Sequence, residues 1–163
     1  MLQLRNLSAD DRAEIRSWPS YPSEFADLDY ALRQNGWLVE FGGRPDTWCF
    51  GVDQAGALVA FTIVSGTGRA EAELRLALRG DRIGQGLGAT VIALALKRAS
   101  GLGFTRIHLI VRKNNPRARR LYRGMGFEGR GECYGIIKGE QVLFEQMDIS
   151  LEEGSYEKGI VGN

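Results

Sequence analysis

The segment that decides the fold reads Leu76-Ala-Leu-Arg-Gly-Asp-Arg-Ile-Gly-Gln-Gly-Leu-Gly88, with glycine at positions 84, 86 and 88. It lies between a predicted strand, 70–78, and an apolar run, 89–98, that predicts a buried helix. Alternate glycines let a backbone approach a ligand closely and turn its N–H groups toward it. The helix that follows points its positive end at the same place. The turn is therefore suited to bind phosphate oxygens; the alternative is a tight turn that binds nothing.

Two familiar nucleotide-binding motifs do not fit this glycine spacing. A Walker loop requires Gly-Lys followed by Ser or Thr, and the segment contains no such sequence. A Rossmann fingerprint spaces its glycines as G-x-G-x-x-G and has an acidic residue about twenty positions on. Here the spacing is G-x-G-x-G, and the region around Thr105 carries no acid. Neither motif is favoured.

Outward from this segment, hydrophobic periodicity and cap residues predict elements in the order β-α-α-β-β-β-α-β-α-β-β. Strands are predicted at 2–7, 48–52, 57–65, 70–78, 104–111, 127–137 and 141–149, and helices at 8–18, 22–36, 89–98 and 116–125. This order predicts a single α/β domain with a mixed central sheet flanked by helices. We expect the domain to span residues 1–149 and residues 150–163 to form a flexible tail.

Composition sets the class of protein. The chain has 163 residues, a net charge of +1 and 44% hydrophobic residues, which are typical of one soluble domain. Two cysteines and one histidine in no ligand spacing argue against a disulfide scaffold and a metal site. The longest apolar runs, 58–64 and 89–96, are too short to cross a bilayer, and the N-terminus does not resemble a secretory signal. We therefore expect a cytoplasmic protein with no membrane partner.

The net charge conceals an uneven distribution along the chain. Residues 1–68 carry 5 basic and 9 acidic side chains, residues 69–130 carry 14 and 4, and residues 131–163 carry 2 and 7. The middle block, at +10, also contains the three spaced glycines. Such a block favours a polyanionic ligand, and the acidic flanks favour a neutral or cationic one.

The residues themselves suggest a family. Ile83-Gly-Gln-Gly-Leu-Gly88 resembles the pyrophosphate loop of the GNAT (Gcn5-related) N-acetyltransferases, written Q/R-x-x-G-x-G/A. Ile83 stands where the family has Gln or Arg; that position acts largely through its backbone N–H, and Arg82 next to it could supply the missing charge. A second segment, Asn115 to Phe127, is similar to the family's N-x-x-A-x-x-L-Y-x-x-x-G-F and lies at the expected distance. The resemblance covers roughly residues 1–149.

The resemblance implies an enzyme that uses acetyl-CoA as co-substrate and transfers its acetyl group to a primary amine by direct attack in a ternary complex. In the family, the strand before the glycine turn diverges from its neighbour at a bulge and leaves backbone groups for the pantetheine arm. Family resemblance places CoA against the following residues of this chain: Leu76, Ala77, Leu78, Arg82, Ile83, Gly84, Gln85, Gly86, Leu87, Gly88, Asn115, Ala118 and Tyr122.

The chemistry requires a base and an acid. A free alkyl amine has a pKa near 10.4 and must lose a proton before it attacks the thioester. A carboxylate can accept that proton directly or through water. Glu73 on the central strand is the candidate, with Glu71 as the backup; the alternative is that both are surface charges. Tyr122 matches the family's general acid, which protonates the departing thiolate.

The acceptor is not specified by the sequence. The segments that hold it in the family contain Trp18, Tyr21, Tyr30, Trp37 and Tyr134 and are net acidic, which favours a cationic amine, a small molecule or a protein amine.

A non-catalytic CoA-binding or sensor module of the same fold is the rival function. A run of basic residues around the second segment fits CoA phosphates: Arg112, Lys113, Arg117, Arg119, Arg120 and Arg123. A nucleic-acid partner is not expected, because exposed aromatics do not interleave with this run and its flanks are acidic. The resemblance leaves room for a homodimer.

Overall fold

The computed structural model describes residues 1–151. Seven strands form one sheet: β1 (Leu2–Asn6), β2 (Thr47–Gln54), β3 (Ala57–Gly68), β4 (Glu71–Leu78), β5 (Arg106–Arg112), β6 (Glu128–Ile137) and β7 (Glu140–Ser150). Four α-helices are α1 (Ala9–Arg16), α2 (Trp37–Phe41), α3 (Leu87–Gly101) and α4 (Pro116–Gly124), and 3₁₀ segments cover Ser23–Leu32 and Gly80–Arg82. The predicted α/β class and the order of elements are confirmed. Within residues 1–151, no helix has the length and apolar character that crossing a bilayer requires.

The sheet runs in the order β1-β2-β3-β4-β5-β7-β6 and is antiparallel except between β4 and β5. Those two parallel strands pair only at Glu71 with Arg106, Ala72 with Ile107 and Glu73 with His108. Beyond Glu73 they diverge, and the remainder of β4 pairs with β3 alone. The separation of β4 from its neighbour, which the resemblance implied, is thus present. The nearby register shift lies in β3, between Gly66 and Gly68, rather than in β4.

Two apolar layers cover the sheet. On one face, α3 and α4 pack through Ile92, Leu96 and Met125 against Leu74 and Ile107. On the other face, α1, α2 and the 3₁₀ segment pack against residues of β3 and β4, with Ile15, Leu32, Phe41, Phe61 and Ala77 at the centre. Every one of these side chains is buried. The diverging strands therefore lie between two firmly packed layers.

The region predicted as one helix, 22–36, is where the structure differs most from the sequence-based expectation. It forms a 3₁₀ segment with a kink at Phe25, and Gly36 precedes α2 instead of ending a helix. A Cβ at Gly36 would lie 2.3 Å from the carbonyl oxygen of Ala31. Glycine is needed there because two backbone segments approach closely, a requirement that is equally compatible with a helix start and a helix end.

Polar clamps join the elements that flank the sheet. Ser8 and Asp11 form a capping box at the start of α1, and Arg5 binds both Asp11 and Asp53 at 2.6 Å. On the other side of the molecule, the buried carboxylate of Glu145 in β7 binds Arg119 and Arg123 of α4 at 2.8 and 2.6 Å. Burial raises the pKa of Glu145, but the hydrogen bond from Arg119 and the charges of Arg123 and Arg119 outweigh it and lower that pKa overall.

The last strand extends past the expected end of the domain. Ser150 belongs to β7, and Leu151 is buried in the core on the α3 side. The predicted tail, 150–163, therefore begins inside the folded structure, and its residues 152–163 lie outside the described part of the chain.

Candidate active site

A cavity of about 790 Å³ opens where β4 and β5 diverge. Its walls come from the end of β4, the glycine turn, the start of α3, α4 and the 3₁₀ segment that covers it. Eleven of the thirteen residues expected to contact CoA line it: Leu76, Ala77, Leu78, Ile83, Gly84, Gly86, Leu87, Gly88, Asn115, Ala118 and Tyr122. Two segments that are far apart in the sequence thus meet across one cavity.

The glycine turn owes its shape to backbone conformation. Gly84 and Gly86 have φ of +85° and +77°, a region that side chains with a Cβ rarely adopt. Gly86 is the residue before α3, and no side chain caps that helix. The first N–H groups of a 15-residue helix therefore face the cavity without a side-chain partner. This end of the cavity suits an anion.

Arg117 in α4 completes the anion-binding end; the sequence places it in a basic run suited to CoA but does not single it out as a contact. A Cβ added to Gly84 would lie 2.9 Å from Nη2 of Arg117, so the guanidinium lies directly over the turn. The two expected residues that do not line the cavity bond elsewhere: Arg82 donates to Oε1 of Gln54 at 2.9 Å, and Gln85 donates to the carbonyl of Asp81 at 2.9 Å. The positive charge that the sequence predicts from Arg82 is thus provided by Arg117, which the fold brings close to the turn.

Two residues fix the cavity wall in ways that the sequence did not predict: Tyr21, expected on the acceptor side, and Arg112 of β5. The hydroxyl of Tyr21 donates to the carbonyl oxygen of Leu78 at 2.6 Å, which holds the end of β4. The buried Arg112 of β5 donates at 2.9 Å to a carboxylate oxygen and to the backbone carbonyl of Asp27. These bonds tie the 3₁₀ segment across the cavity as its cover.

Tyr122 lies at the inner end of the cavity. Its ring packs edge-on against Phe127, with the centroids 5.5 Å apart. Burial raises the pKa of Tyr122 to about 12, so the phenol stays protonated at neutral pH. Asn115, at the start of the same helix, caps it by accepting a hydrogen bond from the N–H of Ala118 at 3.1 Å. The amide N–H₂ of Asn115 remains as a donor.

Glu73 lines a smaller cavity of about 90 Å³ that shares lining residues with the large one. Tyr122, Tyr30 and Trp37 line both spaces. Glu73 is partly buried and forms an ion pair with Arg75. Glu71 is exposed at the start of β4 and lines none of these cavities. The structure thus brings Glu73, and not Glu71, next to Tyr122.

A third cavity, of about 590 Å³, shares Tyr30, Trp37 and Arg75 with the space around Glu73. Because Tyr30 and Trp37 belong to the segments expected to hold the acceptor, it is called the acceptor cavity below. It is less acidic than the sequence suggested. Asp29 is held by Arg33 through bonds of 2.6 and 2.8 Å, and the guanidinium of Arg75 lies 3.7 Å from the ring centre of Phe41. Trp18 and Tyr21 are buried, and Trp18 belongs to the core. Arg33 therefore already binds the carboxylate of Asp29, and Arg75 already covers the face of Phe41. These are groups that a cationic acceptor would use.

No metal site is evident in residues 1–151, which contain no group of three or more His, Cys, Asp or Glu side chains placed to hold an ion. The single histidine, His108, has Nε2 at 2.7 Å from the hydroxyl of Thr67. Both cysteines are free thiols. The site contains a carboxylate, a phenol and backbone donors.

Known structures share this fold. The spermidine N-acetyltransferase of Vibrio cholerae in complex with CoA and spermine superposes with a TM-score of 0.75 at 21% identity, over 98% of both chains. A structure of the spermidine/spermine N-acetyltransferase of Vibrio cholerae with manganese ions gives 0.72 at 23% identity, over 92% of both chains. No curated protein sequence matches significantly. A family model described as "Acetyltransferase (GNAT) family" matches residues 11–127.

Proposed function

The chain belongs to the acetyltransferase (GNAT) family and uses acetyl-CoA as its co-substrate, and from this premise we propose that Glu73 and Tyr122 carry the transfer of an acetyl group to a primary amine. One observation carries the proposal: Tyr122 lines both the large cavity that contains the anion-binding turn and the smaller cavity that contains the carboxylate of Glu73. The domain that performs the reaction is proposed to span residues 1–149, with Ser150 and Leu151 completing its last strand and core.

Binding is the first task of the site. The pyrophosphate of acetyl-CoA fits the positive end of α3, because no side chain caps the N–H groups there and Arg117 lies across the turn. The pantetheine arm fits along Leu76–Leu78, since that part of β4 has no partner strand on the side of β5. The amide of Asn115 faces the same space from α4. The thioester then lies near Tyr122.

Deprotonation of the amine is the task of Glu73. The acceptor arrives as an ammonium ion, and its proton passes to the carboxylate of Glu73, directly or through a water molecule. The neutral nitrogen attacks the thioester carbonyl, which forms a C–N bond and a tetrahedral oxyanion. Glu71 is too far toward solvent to compete for this role.

Collapse of the tetrahedral intermediate breaks the C–S bond and releases the CoA thiolate. Tyr122 donates its phenolic proton to that sulfur, the second proton of the amine nitrogen is released on collapse and restores the phenol, and the proton taken by Glu73 returns to solvent, so that charge and atoms balance. The pKa of Tyr122, about 12, keeps the donor protonated at neutral pH until a thiolate forms beside it. The products are the N-acetylated amine and CoA.

The test is a thiol-release assay with acetyl-CoA and a panel of amines that includes free amino acids, polyamines and peptides with a free N-terminus. Release that depends on both substrates supports the proposal. A structural neighbour is named for spermidine, which makes a polyamine one member of the panel.

A non-catalytic CoA-binding module of the same fold is the competing function. It shares the cavity but makes no use of a phenol held protonated next to a carboxylate. Stabilisation by acetyl-CoA without thiol release from any amine would favour the module and contradict catalysis.

A further inference from the structure

We propose that the acceptor carries a carboxylate beside its amine, as a free α-amino acid with an apolar side chain does, and that Arg75 binds this carboxylate. The inference rests on the proposed function, because it names the substrate class of the same site. It starts from Arg75, the one charged side chain of residues 1–151 that lines both the space around Glu73 and the acceptor cavity.

The guanidinium of Arg75 is held in place on two sides. It pairs with Glu73 and stacks over Phe41 at 3.7 Å from the ring centre, with Trp37 at 5.9 Å. Only 15% of the side chain is exposed. A cation fixed in this way has already lost most of its side-chain freedom, so it is preorganised for a further partner.

Most of the donors of Arg75 remain available. An arginine has five N–H groups, and within residues 1–151 the hydrogen bonds of Arg75 are limited to the one from Nη1 to Glu73. Its other nitrogens are not sealed in the interior, since Thr62 alone has a buried side-chain polar atom without a partner among the described residues. Donors in a planar fork match a carboxylate.

The spacing of the two side chains fits an α-amino acid. Glu73 and Arg75 are two residues apart on one strand, so both project from the same face of β4, and their heads touch. An amine placed at Glu73 therefore brings a carboxylate one carbon away to Arg75. The rest of the cavity supplies apolar contacts for a side chain, from Tyr30, Trp37, Ile110 and Phe144.

A polyamine does not match these charges. The acceptor side contains three carboxylates, of which Asp29 is bound through both oxygens by Arg33 and Glu73 is paired with Arg75. Glu40 is exposed, and the cations Arg33, Arg75 and Lys138 line the same cavity. A linear polycation would meet several positive charges and few free acids.

The experiment compares matched acceptors in the wild-type protein at saturating acetyl-CoA. L-leucine, L-methionine and L-phenylalanine are each paired with the corresponding carboxamide, which keeps the amine and lacks the carboxylate, and spermidine is added as a polyamine. We expect kcat/KM for each acid to exceed that for its amide by about tenfold to a hundredfold, as for a hydrogen-bonded charge. Equal values for acid and amide, or activity with spermidine alone, would overturn the inference while leaving acetyl transfer intact.

Two variants then assign the effect to a residue. Arg75→Gln is expected to reduce the ratio of acid to amide to near one, whatever its effect on overall rate. Arg44→Gln is the matched control, because Arg44 lies over the same Phe41 ring at 4.5 Å but lines none of these cavities. An unchanged ratio in Arg75→Gln would contradict the role of Arg75. Absence of thiol release with every acceptor would instead contradict the proposed function, and the inference with it.

Discussion

At the residue scale, Tyr122 shows how one helix satisfies two demands at once. Its ring packs against Phe127, and the residue also lines the cavity. The burial that stabilises the helix is also what raises the pKa of the phenol to about 12. The same burial therefore accounts for both the packing of the ring and the raised pKa of the phenol.

Replacing Tyr122 with Phe tests the acid role. The change keeps the ring and its packing and removes only the proton donor, so we expect kcat to fall by about a hundredfold or more. The affinity for CoA, measured by calorimetry, should stay near that of the wild type. Equal turnover in the two proteins would show that another group protonates the thiolate.

Arg117 is the second residue on which the site depends. Because its guanidinium lies over Gly84, the Arg117→Ala substitution should weaken acetyl-CoA binding by about tenfold and reduce the dependence of that affinity on salt. Arg120→Ala is the matched control, since Arg120 is exposed on the same helix and does not line the cavity. Similar losses in the two variants would indicate a general charge effect.

Arg117 also shows where sequence reasoning stops at this scale. The motif identifies the turn and the helix. Adjacency in the sequence, however, points to Arg82 as the residue that supplies the positive charge beside the glycines. The 3₁₀ turn at Gly80–Arg82 directs Arg82 to Gln54, while α4 brings Arg117 across from a position 33 residues away from Gly84. Proximity of that kind depends on how two helices pack, and no local pattern records it.

At the element scale, the joint between β1, α1 and β2 depends on charge. Asp11 accepts hydrogen bonds from Arg5 and from the backbone of Ser8, and the hydrogen bond with Arg5 is the main reason its pKa lies far below the usual range. A depressed carboxyl pKa stabilises the fold above the unfolded value of 3.8, and that stabilisation is lost as the pH falls below it.

The substitution Asp11→Asn should therefore lower the melting temperature at pH 7, and the difference from the wild type should shrink steadily as the pH falls below 3.8. The reason is that the unfolded carboxyl takes up its proton in this range, whereas the native one, held by Arg5, takes it up only at lower pH. Thermal unfolding of both proteins across pH 2–7 measures the difference. A difference that stays constant over this range would show that Asp11 acts through packing and not through charge.

Strand β3 contains a polar group with no partner. Thr62 is fully buried, and its hydroxyl has no hydrogen bond within the described chain. The substitution Thr62→Val keeps the shape and removes the unpaired group, so we expect an increase of about 1 kcal/mol in the free energy of unfolding. Denaturant unfolding measures it, and Thr62→Ser, which keeps the hydroxyl and loses the methyl, should be destabilised. A less stable valine variant would mean that the hydroxyl does have a partner.

The element order could be predicted from the sequence because the strands and the later helices have strong periodicity or clear caps. Ser8 and Asn115 both cap helices as predicted. The 3₁₀ segment could not be foreseen, because its shape follows from long-range bonds such as that of Arg112 to Asp27. The same long-range bonds place this segment over the cavity.

At the scale of the whole molecule, some charges of the three sequence blocks pair with one another. Arg112 of the basic block binds Asp27 of the first, and Arg106, Arg119 and Arg123 bind Asp148 and Glu145 of the last. Part of the net +10 of the middle block therefore holds the fold together. Of its cations without an ion pair in residues 1–151, Arg117 is the one that lines the cavity.

Binding of acetyl-CoA should stabilise the whole fold. At a ligand concentration a hundred times the Kd, binding contributes about 2.7 kcal/mol, which corresponds to a rise of roughly 5–10 °C in Tm for a chain of this size. Thermal unfolding with increasing acetyl-CoA measures the shift. No shift at millimolar acetyl-CoA would contradict both the enzyme and the binding module.

The short pairing between β4 and β5 has a mechanical consequence. Every other pair of neighbouring strands is joined along most of its length, whereas this one is joined only from Glu71 to Glu73. A force that pulled β1 and β6 apart would therefore separate the sheet most easily between β4 and β5. The proposed ligand would lie in the same gap, so its loading would stiffen the molecule across its weakest line.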